Sequence, residues 1–322
     1  MSIQIEECDT EIIIDDLISL FSQSYCFEGT DSQMEGKPIA NLTRERLLKR
    51  LVTDNLEKAW VAKDGKKIVG YANVIKSEEG PHIFEFHQLN VDLSYRGMGI
   101  GKRLMDVRLA HLEKVKEDFD YAATHNVTFH TLSQRLHSSS VATFLNPRVC
   151  DWHHVAMSDL GSPFSFIFVV DDIHGKIAKS RQNVHIPERH RQTLEDIYGN
   201  LGTERTFRDE RKEIPESYIE ERKFSIRQLM RTNGYTNLLG FSLDNPTTPS
   251  KIDFYESEGF FLCGIVPQTY SHGGSRVVDR AVLAPAASEI NPDLIKVLTK
   301  YQTLKDAVLG NYAKARKIIS NS

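Results

Sequence analysis

The sequence predicts an α+β fold, because strand-like and helix-like patterns of apolar residues alternate along the chain. The central observation is an apolar strand over residues 83–91, followed by three glycines at alternate positions and then by a helix. That helix is indicated by apolar residues at helical spacing, namely Leu104, Met105, Leu109, Leu112 and Val115. A second observation is a strand hairpin whose turn is Asp64-Gly65-Lys66, because Asp-Gly between two apolar runs favours a tight turn.

The composition predicts ordinary globular cores and excludes some classes of protein. The chain has 322 residues, which predicts two domains, and it is 40% hydrophobic and 26% charged. Its net charge of −4 argues against a nucleic-acid partner, and its apolar runs are too short to predict a membrane partner. The four cysteines are scattered, which predicts reduced thiols in a cytoplasmic protein. We expect a monomer or a homodimer.

The first half of the chain predicts strands and helices in a definite order. A strand at Ser2–Glu7 follows from the alternation of Ile3 and Ile5, and the spacing of Ile13, Leu17, Leu20 and Phe21 predicts a helix after it. The further predicted elements are a helix near Leu42–Val52, strands at Ala59–Lys63 and Ile68–Ile75, the central strand and helix, a strand at Tyr121–Phe129, a short helix at Thr131–His137 and a strand at Phe164–Val170.

The second half predicts a further set of elements, so that we place the domains at 1–175 and 176–322. Leu194, Ile197, Tyr198 and Leu201 predict a helix that follows Pro187. The other predicted elements are a charged solvated loop or exposed strand edge at Thr203–Glu221, a strand near Lys223–Ile226, a helix to Thr232, a strand at Thr236–Leu243, a helix carrying Phe254–Phe260, a last strand at Phe261–Val266 and an amphipathic helix at Lys296–Arg316.

The glycine segment reads Arg96-Gly97-Met98-Gly99-Ile100-Gly101 and joins the central strand to the helix. Such a turn directs the first backbone N–H groups of the helix outward at the positive end of its dipole, which favours a phosphate or pyrophosphate. The segment is not a Walker loop, because Arg103 follows Gly101-Lys102. It is not a dinucleotide fingerprint either, because the position of the third glycine is Lys102.

This Arg-x-x-Gly-x-Gly segment after a strand resembles the cofactor signature of the GNAT N-acetyltransferases, and the order of elements is similar over about the first 130 residues. The resemblance implies a central mixed, mostly antiparallel sheet flanked by helices, and acetyl-CoA as cofactor. It implies that the strand backbone contacts the pantetheine arm and that the loop binds the pyrophosphate. The implied cofactor-binding residues are Leu89, Val91, Arg96, Gly97, Met98, Gly99, Ile100, Gly101 and Lys102.

Acetyl transfer to an amine needs a group that accepts the amine proton. Glu85 is the first candidate, because its apolar neighbours Phe84 and Phe86 favour a carboxyl group that holds a proton near neutral pH. Regular strand alternation would direct Glu85, His87, Leu89 and Val91 to one face, so His87 is a second candidate. A solvated charge at a strand edge is the structural alternative for Glu85.

The acid that protonates the departing thiolate is less defined. The resemblance would place a tyrosine in the segment from His130 to His137, where the chain has none, and Ser133 is the candidate there, with His130 close by. A Tyr-x-x-x-Gly-Phe run occurs at Tyr255–Phe260 instead. It is similar to a GNAT pattern, which suggests a degenerate second GNAT-like domain in tandem. An unrelated α+β domain and a simple packing role for Tyr255 are the alternatives.

These observations predict an acetyl-CoA-dependent N-acetyltransferase that acts on a small-molecule or peptide amine by direct attack on the thioester. A non-catalytic acyl-CoA-binding or regulatory protein is the alternative, and an interaction scaffold with an empty loop is a third class. No metal is expected, because the histidines and cysteines lack the paired spacing of a zinc site.

Overall fold

The computed structural model describes residues 2–24, 45, 48, 51, 55–77, 82–128, 131–137, 140–146, 166–172, 175–231, 238–270, 277–286, 290 and 292–321. The chain forms two compact units. The first contains residues 1–124 and 151–162, and the second contains residues 125–150 and 163–322. These units differ from the predicted domains, because residues 125–150 and 163–175 belong to the second. Whether 1–175 folds as a domain by itself stays a prediction.

The first unit is built on a mixed, mostly antiparallel sheet. Its strands are β1 (Ile3–Glu7), β2 (Leu56–Asp64), β3 (Lys67–Lys76), β4 (Ile83–Val91) and β5 (Tyr121–Val127), which lie in chain order across the sheet. The first four pair antiparallel, whereas β5 pairs with β4 in parallel, so the chain must cross the sheet between them. That crossing is made by the helix α2 (Ile100–Lys114).

Two helices cover opposite faces of this sheet. The amphipathic helix α1 (Ile14–Ser24) buries Leu17 and Phe21 against β3, where the Phe21 and Tyr71 rings lie 5.9 Å apart. On the other face α2 lies so close to β3 that a Cβ at Gly70 would come within 3.1 Å of both Ile100 and Leu104. Gly70 therefore sets the depth at which the start of α2 packs on the sheet.

The second unit contains a second group of strands, in the order β7-β6-β11-β12-β10. Its strands are β6 (Val141–Asn146), β7 (Phe166–Asp171), β10 (Leu239–Ser242), β11 (Phe260–Tyr270) and β12 (Val277–Pro285), with β8 (Asn183–Val184) and β9 (Thr206–Phe207) as a separate short pair. Its helices are α3 (Leu132–Leu136), α4 (Lys176–Lys179), α5 (Glu188–Asn200), α6 (Glu216–Arg231), α7 (Thr248–Ser257) and α8 (Gln302–Ser320).

One topological pattern occurs twice. In the run β10-α7-β11-β12, the last strand, β12, lies between β10 and β11 in the sheet. In the run β5-α3-β6-β7, the last strand, β7, likewise lies between β6 and the end of β5 that belongs to the second unit. Tyr255 lies in the last turn of α7 with its ring 5.4 Å from that of Phe260, so the Tyr-x-x-x-Gly-Phe run joins a helix to a strand. This repetition is consistent with a GNAT-like second domain, which stays a prediction.

Some predicted elements are wrong or were missed. The predicted strand near Lys223–Ile226 lies inside α6, because charged residues on the outer side of an amphipathic helix hid its periodicity. The strands β6 and β12 were not predicted, and β11 is therefore not the last strand. The predicted helix near Leu42–Val52 lies largely outside the described residues, although Leu48 and Leu51 pack on the core beside α1.

Within the described part of the chain, no helix is long and apolar enough to cross a membrane.

Gly264 and Gly310 give a matched test of the packing of the second unit. A Cβ at Gly264, where φ is +132°, would lie 2.2 Å from the carbonyl oxygen of Thr143. We expect Gly264→Ala to lower the free energy of unfolding by about 3 kcal/mol or more. Gly310→Ala, in the open interior of α8, should raise it by up to about 1 kcal/mol. Denaturant unfolding measures both, and equal effects would contradict the close β6–β11 contact.

Candidate functional site

The strand β4 carries one residue more than β3 can pair with. Ala72 pairs with Leu89 and the next residue of β3, Asn73, pairs with His87, so Gln88 is the extra residue of a β-bulge. Gln88 has φ of +27°, which is an uncommon backbone conformation for a residue with a side chain. The extra residue bends β4 and changes the direction of the side chains that follow it.

The bulge divides the side chains of β4 between the two faces of the sheet. Residues that pair directly across strands share a face, so Glu85 and His87 lie on the face of Asn73 and of α1. After the extra residue the alternation is out of phase, and Leu89 and Val91 lie on the opposite face, which α2 covers. The predicted common orientation of the four side chains is therefore wrong, because it assumed an unbroken period of two.

The backbone groups of Leu89 and Val91 point away from β3. In an antiparallel pair, alternate residues direct their N–H and C=O groups to the partner strand. The Asp92 N–H donates to the Val69 carbonyl oxygen at 2.9 Å, so the residue before it, Val91, directs its backbone groups to the other edge of β4. Leu89 is two residues earlier and does the same.

The edge of β4 that points away from β3 pairs with β5 only over the first residues of β4. The parallel pairing covers Ile83, Phe84 and Glu85. Beyond it, the Thr124 hydroxyl donates to the Phe86 carbonyl oxygen at 2.9 Å and ends the ladder. The described pairing with β5 thus ends before the bulge, and the N–H groups of Leu89 and Val91 lie on the part of this edge beyond that pairing.

A short turn connects β4 to α2 and is fixed by Asp92. The carboxylate of Asp92 is 2% exposed, accepts the Ser94 N–H at 2.9 Å and binds the Lys67 ammonium at 2.8 Å. Burial raises the pKa of this carboxyl, but the bonds from Lys67 and Ser94 outweigh burial and leave the pKa below its ordinary value. Asp92 therefore stays ionised at neutral pH and holds the entry to the glycine segment.

The glycine segment is open to solvent at the start of α2. Gly97 and Gly99 have φ of +78° and +75°, and a Cβ at either would meet no atom within 4 Å. Gly99 precedes the first residue of the helix and no side chain caps it, and the first turn contains no acidic residue. Gly101, by contrast, is already helical. The first backbone N–H groups of α2 thus face open space beside two residues without side chains.

The two predicted cations, Arg96 and Lys102, are exposed. Arg96 donates from Nε to the carbonyl oxygen of Val91 at 3.4 Å, and the Lys102 ammonium lies 2.8 Å from the carboxylate of Asp106. An exposed ion pair such as Lys102–Asp106 contributes little to stability, so Lys102 can exchange Asp106 for a phosphate at small cost. The exposed side chain of Met98 lies between them in sequence.

Glu85 and His87 are half-buried on the α1 face, with Asn73 beside them. Asn73 is fully buried, and neither its carboxamide nitrogen nor its oxygen makes a hydrogen bond of good geometry among the described residues. A sequence pattern gives no warning of this, since one asparagine in an apolar strand predicts neither burial nor the lack of a partner. The face that carries the proposed base is thus unusually polar for a central strand.

The remaining candidate residues belong to the second unit. Ser133 lies in α3, and its buried hydroxyl finds no hydrogen-bond partner in the described part of the chain. Tyr255 is 4% exposed, and burial together with the Tyr218 hydroxyl raises its pKa. His130 lies outside the described residues. The described residues hold no group of three histidines, cysteines or carboxylates that could bind a metal ion.

Residues 16–137 match the sequence model of a family described as "Acetyltransferase (GNAT) family". The match includes most of α1, the strands β2 to β5, the helix α2 and the whole glycine segment. Residues 16–137 are thus similar to a GNAT acetyltransferase domain. The predicted fold class is thereby confirmed for this part of the chain, and acetyl-CoA is the cofactor of the family.

Solved structures similar to part of this chain include several acetyltransferases. An N-acetyltransferase from Staphylococcus aureus Mu50 is 13% identical, with 54% of this chain and 99% of that chain covered and a TM-score of 0.39. The ribosomal-protein-S18-alanine N-acetyltransferase from Escherichia coli is 10% identical, with 53% and 94% covered and the same TM-score of 0.39. A protein from Salmonella typhimurium solved with its cofactor acetyl-CoA is 14% identical, with 54% and 95% covered and a TM-score of 0.39. No curated protein sequence matches this chain.

The matched region, residues 16–137, has the features that a CoA pyrophosphate requires. The space beside Gly97 and Gly99 admits a group that any Cβ there would obstruct, and the uncapped helix start offers N–H donors at the positive end of the dipole. Two exposed cations lie at the two ends of the segment. The residues present therefore fit the cofactor.

Substitutions at Gly99 and Gly65 distinguish an effect on cofactor binding from the effect of backbone strain on stability. Both are left-handed glycines with open space around them, with φ of +75° and +59°, but only Gly99 adjoins the start of α2. We expect Gly99→Ala and Gly65→Ala to destabilise the protein equally, by about 1 kcal/mol. Only Gly99→Ala should abolish the thermal shift that CoA produces, because its new Cβ occupies the anion site. Loss of the shift in both variants, or in neither, would contradict this assignment.

Proposed function

We propose that this chain is an acetyl-CoA-dependent N-acetyltransferase that acts on an amine. The observation that carries the proposal is the combination, within one strand, of an open backbone edge at Leu89 and Val91 with Glu85 and His87 on the α1 face. The glycine segment follows within a few residues. Acyl donor and proton acceptor can thus be held by a single element.

Acetyl-CoA supplies an acetyl group activated as a thioester. The chain's own part is to hold it: the N–H groups of Met98 to Lys102 receive the pyrophosphate, and the strand edge at Leu89 and Val91 receives the pantetheine amides. One of those strand N–H groups also stabilises the negative charge on the carbonyl oxygen during attack. Binding in this way costs the protein little conformational entropy, because α2, Asp92 and the bulge already fix the positions of these N–H donors.

Glu85 is proposed as the group that receives the amine proton. An alkyl ammonium has a pKa of about 10, so at neutral pH the acceptor must lose a proton before or during attack. Glu85 is half-buried two residues after the start of β4 and its backbone pairs with both β3 and β5, so its position is well fixed. His87 lies two residues further on the same face and is the alternative base.

Glu85→Gln tests this role against a carboxylate of similar burial on the same sheet. The substitution keeps the shape but cannot accept a proton, so kcat/KM should fall by about 10²-fold or more, with unchanged affinity for CoA. The control is Glu57→Gln, because Glu57 is partly buried on β2 and pairs with His111 at 3.3 Å. It should change kcat/KM by less than about threefold.

Activity is measured as release of free CoA thiol across a panel of amines, including peptide N-termini. Full activity of Glu85→Gln over the whole pH range would move the role to His87 or to a water chain. Binding of CoA without thiol release on any amine would favour the alternative function, a non-catalytic acyl-CoA-binding or regulatory protein. The absence of a tyrosine from residues 130–137 is the observation in favour of that alternative.

A further inference from the structure

Arg108 is a buried cation that has no counter-ion among the described residues. Its side chain is 1% exposed in the middle of α2, facing the sheet. Its guanidinium contacts the sulfur of Met105 at 3.1 Å and the carbonyl oxygen of His87 at 3.4 Å, and it lies 5.0 Å from the centre of the Phe86 ring. Its Nε has no hydrogen-bond acceptor among the described residues. These contacts are weak for a group that prefers carboxylates and water.

Arg205, in the second unit, shows what a structural buried arginine looks like in this chain. It is fully buried too, but its Nε lies 2.7 Å from the carboxylate of Asp279, and it donates to the Ser180 carbonyl oxygen at 2.6 Å. Charge and hydrogen-bond donors are both satisfied there. Among the described residues, Arg108 has no carboxylate partner and only two weak hydrogen bonds, so stability does not explain its presence.

The charge of Arg108 persists at neutral pH. Burial lowers its pKa to about 9, and no neighbouring charge contributes to that shift. The titratable groups on the elements around it are directed elsewhere or already paired. Glu85 and His87 lie on the opposite face of β4, whereas His111 pairs with Glu57, and Lys58 with Glu7. The field of the guanidinium is therefore unopposed in a region of low dielectric.

This field acts on the strand where the proposed reaction occurs. Arg108 contacts the carbonyl of the residue just before the bulge, and Phe86 and Leu89 share its face of β4. In acetyl transfer the amine nitrogen bonds to the thioester carbon, its proton passes to the base, and the C–S bond then breaks with its electron pair on sulfur. Negative charge thus forms first on the carbonyl oxygen and then on sulfur, while no tyrosine lies in residues 130–137 to protonate the sulfur.

We propose that Arg108 stabilises this developing negative charge through its field, so that CoA departs as a thiolate and needs no general acid. The inference rests on the proposed function. Arg108 acts from beneath the strand and does not contact the reacting atoms. It is therefore a positioning and electrostatic residue, and its counter-ion is the charge that appears during the reaction.

The test measures the ionisation of the CoA thiol in its complex with the protein. The thiolate is titrated by its ultraviolet absorbance, with the complex of S-methyl-CoA, which has no thiol, as the blank. In the wild type the bound thiol should ionise about one pH unit below that of free CoA, an increase of about tenfold in the thiolate-to-thiol ratio. Arg108→Met should remove this shift, and Arg108→Lys should retain part of it. Lys114→Met, an exposed charge on the same helix, should leave it unchanged.

Thermal unfolding without CoA supplies the second readout. Because the charge of Arg108 is uncompensated, Arg108→Met should melt at the same or a higher temperature than the wild type. A clear fall in melting temperature, or failure to fold, would show that the arginine is structural and overturn the inference.

The possible outcomes separate this inference from the proposed function. CoA that binds with an unshifted thiol overturns the role of Arg108 alone. CoA that does not bind to the wild type overturns the proposed function, and this inference with it. A shifted thiol in the wild type that Arg108→Met abolishes without loss of stability supports both.

Discussion

The extra residue in β4 is the constraint on which the site depends. An unbroken ladder would pair β4 on both edges and leave no backbone donor for a ligand. Gln88, held at a positive φ, bends the strand where its pairing with β5 has just ended. One irregularity thus exposes the N–H groups of Leu89 and Val91 and places Glu85 and His87 on the other face. The strain of an unusual backbone conformation is tolerated because β3 and α2 fix the strand on either side of it.

The helix α2 connects this strand to the anion site, and its position is set from beneath. Gly70 lets Ile100 and Leu104 approach β3 closely, and Asp92 fixes the turn that leads into the helix. The N-terminal N–H groups of α2 are therefore held at a definite distance from the open edge of β4. This rigidity is what a long, flexible cofactor requires, because each donor already in place lowers the entropy lost on binding.

The sequence was sufficient for the parts of the site that depend on local backbone chemistry. Gly97 and Gly99 predicted the turn and the helix start, because only glycine adopts a positive φ easily beside a ligand. The hairpin followed from the Asp-Gly turn at Gly65 between two apolar runs, and the helix α1 followed from the helical spacing of its apolar residues. Gln88 could not be predicted, since a polar residue in a strand does not show whether it is paired or left over. Arg108 and Asn73 were missed because burial without a partner is a tertiary property. The sequence did give one indication that Arg108 is buried. Arg108 lies on the apolar side of α2, three residues after Met105 and four before Leu112.

The central claim is that one bulged strand and the helix after it hold the cofactor. A crystal structure with CoA tests it most directly. The account predicts the pyrophosphate at the N–H groups of Met98 to Lys102, with pantetheine amides paired to the backbone of Leu89 and Val91. The thiol should lie at the open edge of β4, next to the bulge. CoA bound against other elements, or a β4 that binds it without the extra residue at Gln88, would contradict the account.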